Sequence, residues 1–303
     1  MAKETAGLQE LLVQLSKLTT KLAATKPEGS IRNVAKARQT LSKYAEQLAE
    51  VAAGFDPILR PASIFDPSAP QTAGRIVALT LVSQELHDLA SVPNFYGAGV
   101  YAIYYKGKFE PYAKLVDSDH PIYVGKADPA TPSAKDAIAQ GTKLSIRMYE
   151  HAKSIKKANT TLDINDFKCR FLVVQSGFQK AAEDYLINLF KPIWNSETKI
   201  CFGLGKHGDS SETRDNKRSP WDTMHPGRSW ADKSTKDQKS ITQIIAEVDR
   251  HLSLNPPYKD IHQLLNRFIE DMRQLNPEKF KDERDEEFVI SDARANYGNL
   301  TIT

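Results

Sequence analysis

A chain of 303 residues, 40% hydrophobic and 26% charged, is long enough for two domains or for one with extensions, and its composition is globular. No apolar run approaches the ~20 residues of a membrane span, and the start MAKETAGLQELL lacks the apolar stretch of a signal peptide. Two cysteines, Cys169 and Cys201, make neither a disulfide framework nor a Cys-rich zinc site, so secreted and transmembrane classes are set aside and a cytoplasmic protein is expected. The net charge of +3 is unevenly spread: residues 91–233 carry 21 basic against 16 acidic side chains, and residues 234–303 carry 10 against 13. The basic excess in the middle admits an anionic partner there.

The first 56 residues read as a helical hairpin. Leu8, Leu11, Leu15, Leu18 and Leu22 alternate spacings of three and four, and after a break at residues 26–30 the pattern returns in Val34, Ala37, Leu41, Tyr44, Leu48 and Val51. Each arm has about three heptads, marginal for a lone helix, so each stripe needs a partner. Two partners stay open, the other arm in a pair that caps the core or a second copy of the chain. Pro57, Pro61, Pro67 and Pro70 mark a linker, followed by a helix on Ile76, Leu79, Val82, Leu86 and Leu89.

Beyond residue 95 the texture changes. Residues 99–105 and 121–125 are rich in β-branched and aromatic side chains and read as strands, with a helix over 142–157, a strand over 167–175 and a helix over 179–190. Residues 196–237 are polar and irregular around Trp221 and Trp230. Two helices follow, near 239–253 and 258–274, and an acidic tail at 282–287.

Two glycine patterns, at 97–102 and 203–208, imitate a dinucleotide loop. Neither sits between a strand and a helix, so neither can place a pyrophosphate on a helix N-terminus. The chemistry lies elsewhere. Glu183 shares a helical stripe with Leu186, Ile187 and Phe190, where a carboxylate is costly unless it meets a cation, while Asp184 falls on the wet side. Arg147 and His151 stand four apart on one helix face among several lysines, a surface suited to phosphate. Tyr101 and Tyr123 lie on the two strands.

Taken in order, Gly99-Val100-Tyr101, Tyr123-Val124-Gly125, Arg147 with His151, Glu183 and Asn195 resemble the GIY-YIG nucleases. The surrounding residues 97–102, 121–127, 191–195 and His225-Pro226-Gly227-Arg228 are similar to the GIY-YIG restriction endonucleases that cut CCGCGG. The resemblance covers about 95–233 and leaves the hairpin, the linker region 57–94 and the C-terminal extension 234–303 outside. Val replaces Ile in both name-giving motifs, and some members of the family carry Tyr where this chain has His151.

The resemblance implies an α/β (α+β) core, a small, largely antiparallel mixed sheet flanked by helices. It also implies hydrolysis of double-stranded DNA to 5′-phosphate and 3′-hydroxyl ends with Mg²⁺, for which Mn²⁺ substitutes. In that scheme Glu183 holds the metal and Arg147 stabilises charge on the phosphoryl oxygens. Tyr101 is the general base beside Tyr123 and His151, and Lys126 and Asn195 position the phosphate or the carboxylate. A free phenol titrates near ~10, so Tyr101 needs neighbouring cations or a proton relay through His151. Reading C·G pairs calls for Arg or Lys on guanine and a carboxylate on cytosine. Lys199, Lys206, Arg214, Lys217, Arg218 and Arg228 alternate with acids in the irregular segment, which makes it the expected base reader. A palindrome cut on both strands implies a homo-oligomer, a dimer at least, with a tetramer built through residues 1–56. The rivals are a structure-selective repair or recombination nuclease with the same site, and a DNA-binding protein with a relic site.

Overall fold

The structure, a computed structural model, describes residues 2–26, 28–55, 64–205 and 217–274. The chain divides into two units, one carrying the first two helices and the other every later element described. The linker prolines Pro57 and Pro61, the candidate base readers Lys206 and Arg214, and the acidic tail lie outside the described residues.

In the first unit the alternating spacing produces helices α1 (Ala2–Ala24) and α2 (Ile31–Gly54), the second capped by Ser30, whose Oγ accepts from the Asn33 N–H at 3.3 Å. No residue of α2 is buried, and the described side chains of α1 are exposed apart from half-buried Leu15. Leu11, Leu18, Tyr44 and Val51 each expose more than half of their surface. The two helices therefore do not cover each other's stripes, as the hairpin pair would have done.

The second unit begins with α3 (Pro70–Val82), which differs from expectation at both ends. Pro70 is the first residue of the helix, where its missing N–H costs nothing. The helix stops at Val82, well short of Leu89, which lies in a 3₁₀ turn and is buried in another part of the core. The strands are β1 (His87–Asp88), β2 (Gly99–Tyr105), β3 (Tyr123–Ala127) and β4 (Phe167–Val173), an antiparallel sheet in the order β1-β4-β2-β3. β3 starts two residues later than expected, since Pro121 has no N–H to give a ladder. The remaining elements are α4 (Ala137–Gln140), α5 (Lys143–Lys157), α6 (Gln179–Phe190), β5 (Lys217–Arg218), α7 (Pro220–Met224), β6 (Lys236–Asp237), α8 (Ile241–Leu254) and α9 (Ile261–Arg273), with β5 and β6 forming a short parallel pair.

Every residue of β2 is buried, and its alternating side chains feed two cores. Tyr101, Ile103 and Tyr105 face Leu144, Met148 and Ile155 of α5 together with Ile244, Val248 and Leu252 of α8. Val100, Ala102 and Tyr104 face α3, α6 and α9 through Leu81, Leu186, Phe190, Leu264 and Phe268. The sheet is thus flanked by helices on both faces, with α8 and α9 packed into this unit. The segment expected to be irregular also enters the core: Trp221 is fully buried on α7, with its ring 5.8 Å from Trp194 and 5.3 Å from His225. No helix among the described residues is long and apolar enough to cross a membrane.

Candidate active site

Register explains the first cluster. Tyr101 on the central strand lies directly opposite Gly125 on the edge strand β3, and cross-strand partners share a face. A side chain at 125 would collide with the Tyr101 hydroxyl and the Tyr123 ring, so glycine is what lets the Tyr101 ring reach across β3. Helix α5 supplies the other wall. Its inward residue His151 is fully buried, with ring centroids 5.5 Å from Tyr101 and 5.0 Å from Tyr123. The Tyr101 hydroxyl and His151 Nε2 are 2.6 Å apart, a short hydrogen bond.

One turn earlier, half-exposed Arg147 sends Nη1 to Glu150 at 3.2 Å and Nη2 to the Gly205 carbonyl at 3.4 Å. Burial first, and then the neighbouring Tyr123, push the Tyr101 phenol well above its usual range, with Arg147 opposing. Burial likewise raises Tyr123. Both phenols are therefore neutral near pH 7.

Glu183 enters from α6. Its carboxyl is half-buried and raised to about 7, chiefly by desolvation, against the pull of Lys126 and Lys180. Those two lysines are engaged elsewhere: Lys126 pairs with Asp128, and Lys180 pairs with Asp184. Asp128 also accepts from Gln179 Nε2 at 3.1 Å. Among the described residues, Glu183 has no ion pair or hydrogen bond of its own. A desolvated carboxylate with its nearest cations spoken for is the costly arrangement that a metal would relieve.

Glu183, Arg147, Tyr123 and Lys126 open onto one cavity of about 490 Å³, with Lys143 and Glu150 on its rim. Among the described residues no cluster of three or more His, Cys, Asp or Glu could chelate a metal. Glu183 is the carboxyl of this cavity without an ion pair among the described residues, while Asp128 and Glu150 are paired with Lys126 and Arg147; so thin a donor set would fit Mg²⁺, an ion that keeps several waters and takes oxygens from its substrate. Tyr101 does not line the cavity and is 0% exposed; Tyr123 fronts the opening.

Several expectations need correction. Asn195 is buried and touches neither the carboxylate nor the cavity: its Oδ1 accepts from Val124 N at 2.9 Å and its Nδ2 donates to Val124 O at 2.8 Å. It therefore fixes the backbone of β3 between Tyr123 and Gly125. Arg228 is not a base reader, because it is 2% exposed and paired with buried Asp222 at 2.7 Å. Arg218 is held by Asp237 at 2.6 and 3.2 Å, while Lys199 is exposed and Lys217 half-buried. His225 is also structural: Nε2 meets the Tyr112 hydroxyl at 2.6 Å, Nδ1 meets Thr161 Oγ1 at 2.9 Å, and burial lowers its pKa to about 3. Sequence reasoning missed Asp128 and Gly205 as neighbours of the site, and had Lys143 and Glu150 only as members of the basic α5 stretch. Asp128 and Glu150 sit close in sequence to Lys126 and Arg147, but nothing in the pattern singles them out.

No curated protein matches the chain. Residues 93–252, which are 160 of the 303 and include every side chain of this cavity and its buried tyrosine–histidine pair, match the Eco29kI GIY-YIG domain. The chain belongs to that family of restriction endonucleases and is a DNA-binding nuclease.

Proposed function

We propose that the protein is a type II restriction endonuclease that cuts both strands of double-stranded DNA at a short palindromic GC-rich site, CCGCGG, with Mg²⁺ held at Glu183. The observation that carries this is the uncompensated Glu183 carboxylate sharing a cavity with the Arg147 guanidinium. A cation held at Glu183 would face the Arg147 guanidinium across the cavity, two positive groups suited to an anionic phosphodiester between them.

Glu183 would hold the cation, which would supply positive charge to the departing 3′ oxygen. Arg147 binds the non-bridging phosphoryl oxygens and meets the charge that builds on them. The attacking water's proton reaches buried Tyr101 by way of Tyr123: the Tyr123 oxygen takes it and hands its own proton to Tyr101 as Tyr101 passes its own to His151 Nε2, so both phenols are neutral before and after the step. The raised phenol and the 2.6 Å contact support this relay over a phenolate formed in advance. Tyr123, between Tyr101 and the cavity, orients the water. Lys126 and Lys143 attract the backbone phosphates, and base reading falls to residues 196–230 through Lys199, Lys206, Arg214, Lys217 and Arg218. The open stripes of α1 and α2 support a homo-oligomer, with site-binding dimers joined into a tetramer through residues 1–56.

Digestion of plasmids of known sequence tests the reading. Discrete Mg²⁺-dependent fragments ending at CCGCGG support it. Cleavage confined to junctions or lesions would transfer the site to a structure-selective nuclease, and binding without cleavage would make it a relic.

A further inference from the structure

Gly203-Leu204-Gly205, the core of one of the false dinucleotide patterns, lies against the catalytic cluster. At Gly205 an added Cβ would stand 3.0 Å from Arg147 Nη2, 3.5 Å from the Tyr123 hydroxyl and 3.8 Å from His151 Cε1. Its carbonyl is the acceptor for Arg147 Nη2 at 3.4 Å. Three proposed catalytic side chains thus border one stretch of backbone, and a Cβ there would be in ordinary contact with Tyr123 and His151 but tight against the Arg147 guanidinium, which would have to give by a few tenths of an ångström.

That stretch is itself held from behind. The Arg228 guanidinium donates from Nη2 to Gly203 O at 2.9 Å, from Nη1 to Leu204 O at 3.1 Å, and from Nε to Asp222 Oδ1 at 2.7 Å. The rings of Trp221 and Trp230 lie 4.5 and 4.7 Å from its central carbon. A planar guanidinium reaches a carboxylate and two successive carbonyls at once, which an ammonium cannot do. Gly203 has φ +127°, open to glycine at little cost, and a Cβ there would run into Ser219, whose hydroxyl donates to Asp222 Oδ2 at 2.6 Å.

Arg147 is a long side chain at a cavity rim, and an unconstrained guanidinium there would sample many rotamers. A fixed carbonyl aims it without cancelling its charge as a second carboxylate would.

We propose that the Gly203–Gly205 turn, braced by Arg228, is the positioning element that aims Arg147 at the scissile phosphate. Gly205 and Arg228 are positioning residues; neither touches the reacting atoms. The inference rests on the nuclease reading for its consequence but not for its geometry, and the test separates the two.

The test is Gly205→Ala, which the backbone accepts, with Arg228→Lys as companion. Crystal structures of the DNA-free wild type and Gly205→Ala should show the Arg147 guanidinium displaced from residue 205. The single-turnover rate at saturating DNA should fall severalfold, as expected for a guanidinium shifted by a fraction of the ångström that costs about a hundredfold, with DNA affinity without divalent cations and the thermal midpoint both close to wild type. Arg228→Lys should reproduce that split between rate and affinity. Arg147 unmoved in Gly205→Ala, or moved with the rate unchanged, overturns the proposal. A wild type that cuts no DNA sinks only the nuclease reading, because the crystal comparison still decides whether the turn places Arg147.

Discussion

The Tyr101 hydroxyl and His151 Nε2 lie 2.6 Å apart with both residues fully buried, so the proposed relay treats the two side chains as one unit. Groups that act as a unit do not lose activity additively. Tyr101→Phe keeps the ring and should lower the single-turnover rate by roughly 10²-fold, the scale of general base catalysis. His151→Gln should do the same, and the double variant should be little worse than either single one. A double variant slowed by the product of the two effects would separate the residues and refute the relay.

Glu183 gives a prediction in stability as well as in rate. Glu183→Gln should abolish cleavage and leave DNA binding intact, while Asp184→Ala, on the exposed side and paired with Lys180, should change little. The folded-state pKa of about 7 lies above the unfolded value. The stabilising, proton-bound form is therefore complete below the unfolded pKa and is lost as pH rises through about 7. Without divalent cations, Gln and wild type should melt together near pH 4.5, and Gln should melt higher above pH 7. Adding Mg²⁺ at pH 8 should raise the wild-type midpoint and not that of Gln. Equal midpoints at every pH would show that the carboxylate is not desolvated.

Arg228, expected as a base reader, and Asn195, expected to position the phosphate or the carboxylate, both turn inward. Removing one partner of a buried ion pair costs ~3–5 kcal/mol because the other charge stays buried. Arg228→Ala should therefore lower the denaturation midpoint sharply, whereas a base-reading arginine would leave it unchanged and weaken only binding. Asn195→Ala removes both bonds to Val124 and should cost about 1–3 kcal/mol. Thermal melts beside DNA titrations distinguish the two roles.

The parts legible in the sequence are those governed by short-range pattern. The β-branched and aromatic content of 99–105 marked the central strand, the stripe at 183, 186, 187 and 190 placed Glu183 beside a core, and the 147/151 spacing put Arg and His on one helix face. What escaped depends on contacts between distant residues. Asn195 binds a backbone 71 residues away and Arg228 one 24 or 25 residues away. A buried arginine in a polar stretch has the same local signature as an exposed one. Leu86 and Leu89 continued a helical period past the end of α3 because a leucine's spacing does not say which core takes it.

The exposed stripes of α1 and α2 lead to the prediction about assembly. Leu8, Leu11, Leu18 and Leu22 on one helix, and Leu41, Tyr44, Leu48 and Val51 on the other, are each at least 36% exposed. Isolated helices of this length are marginal in water, and apolar surface in continuous stripes marks an interaction site. The alternating three-and-four spacing is the one that packs helix on helix at a shallow angle, and four such helices from two chains form a bundle that buries all the stripes. Because these side chains are exposed among the described residues, changing them should leave the nuclease unit folded. Leu18→Asp with Leu41→Asp in the full chain should therefore leave the thermal midpoint of the nuclease unit unchanged and reduce the mass seen by sedimentation equilibrium, from tetramer to dimer. The wild type should cut a two-site plasmid faster than a one-site plasmid, and the variant should cut both alike. An unchanged mass would show that α1 and α2 do not join copies of the chain.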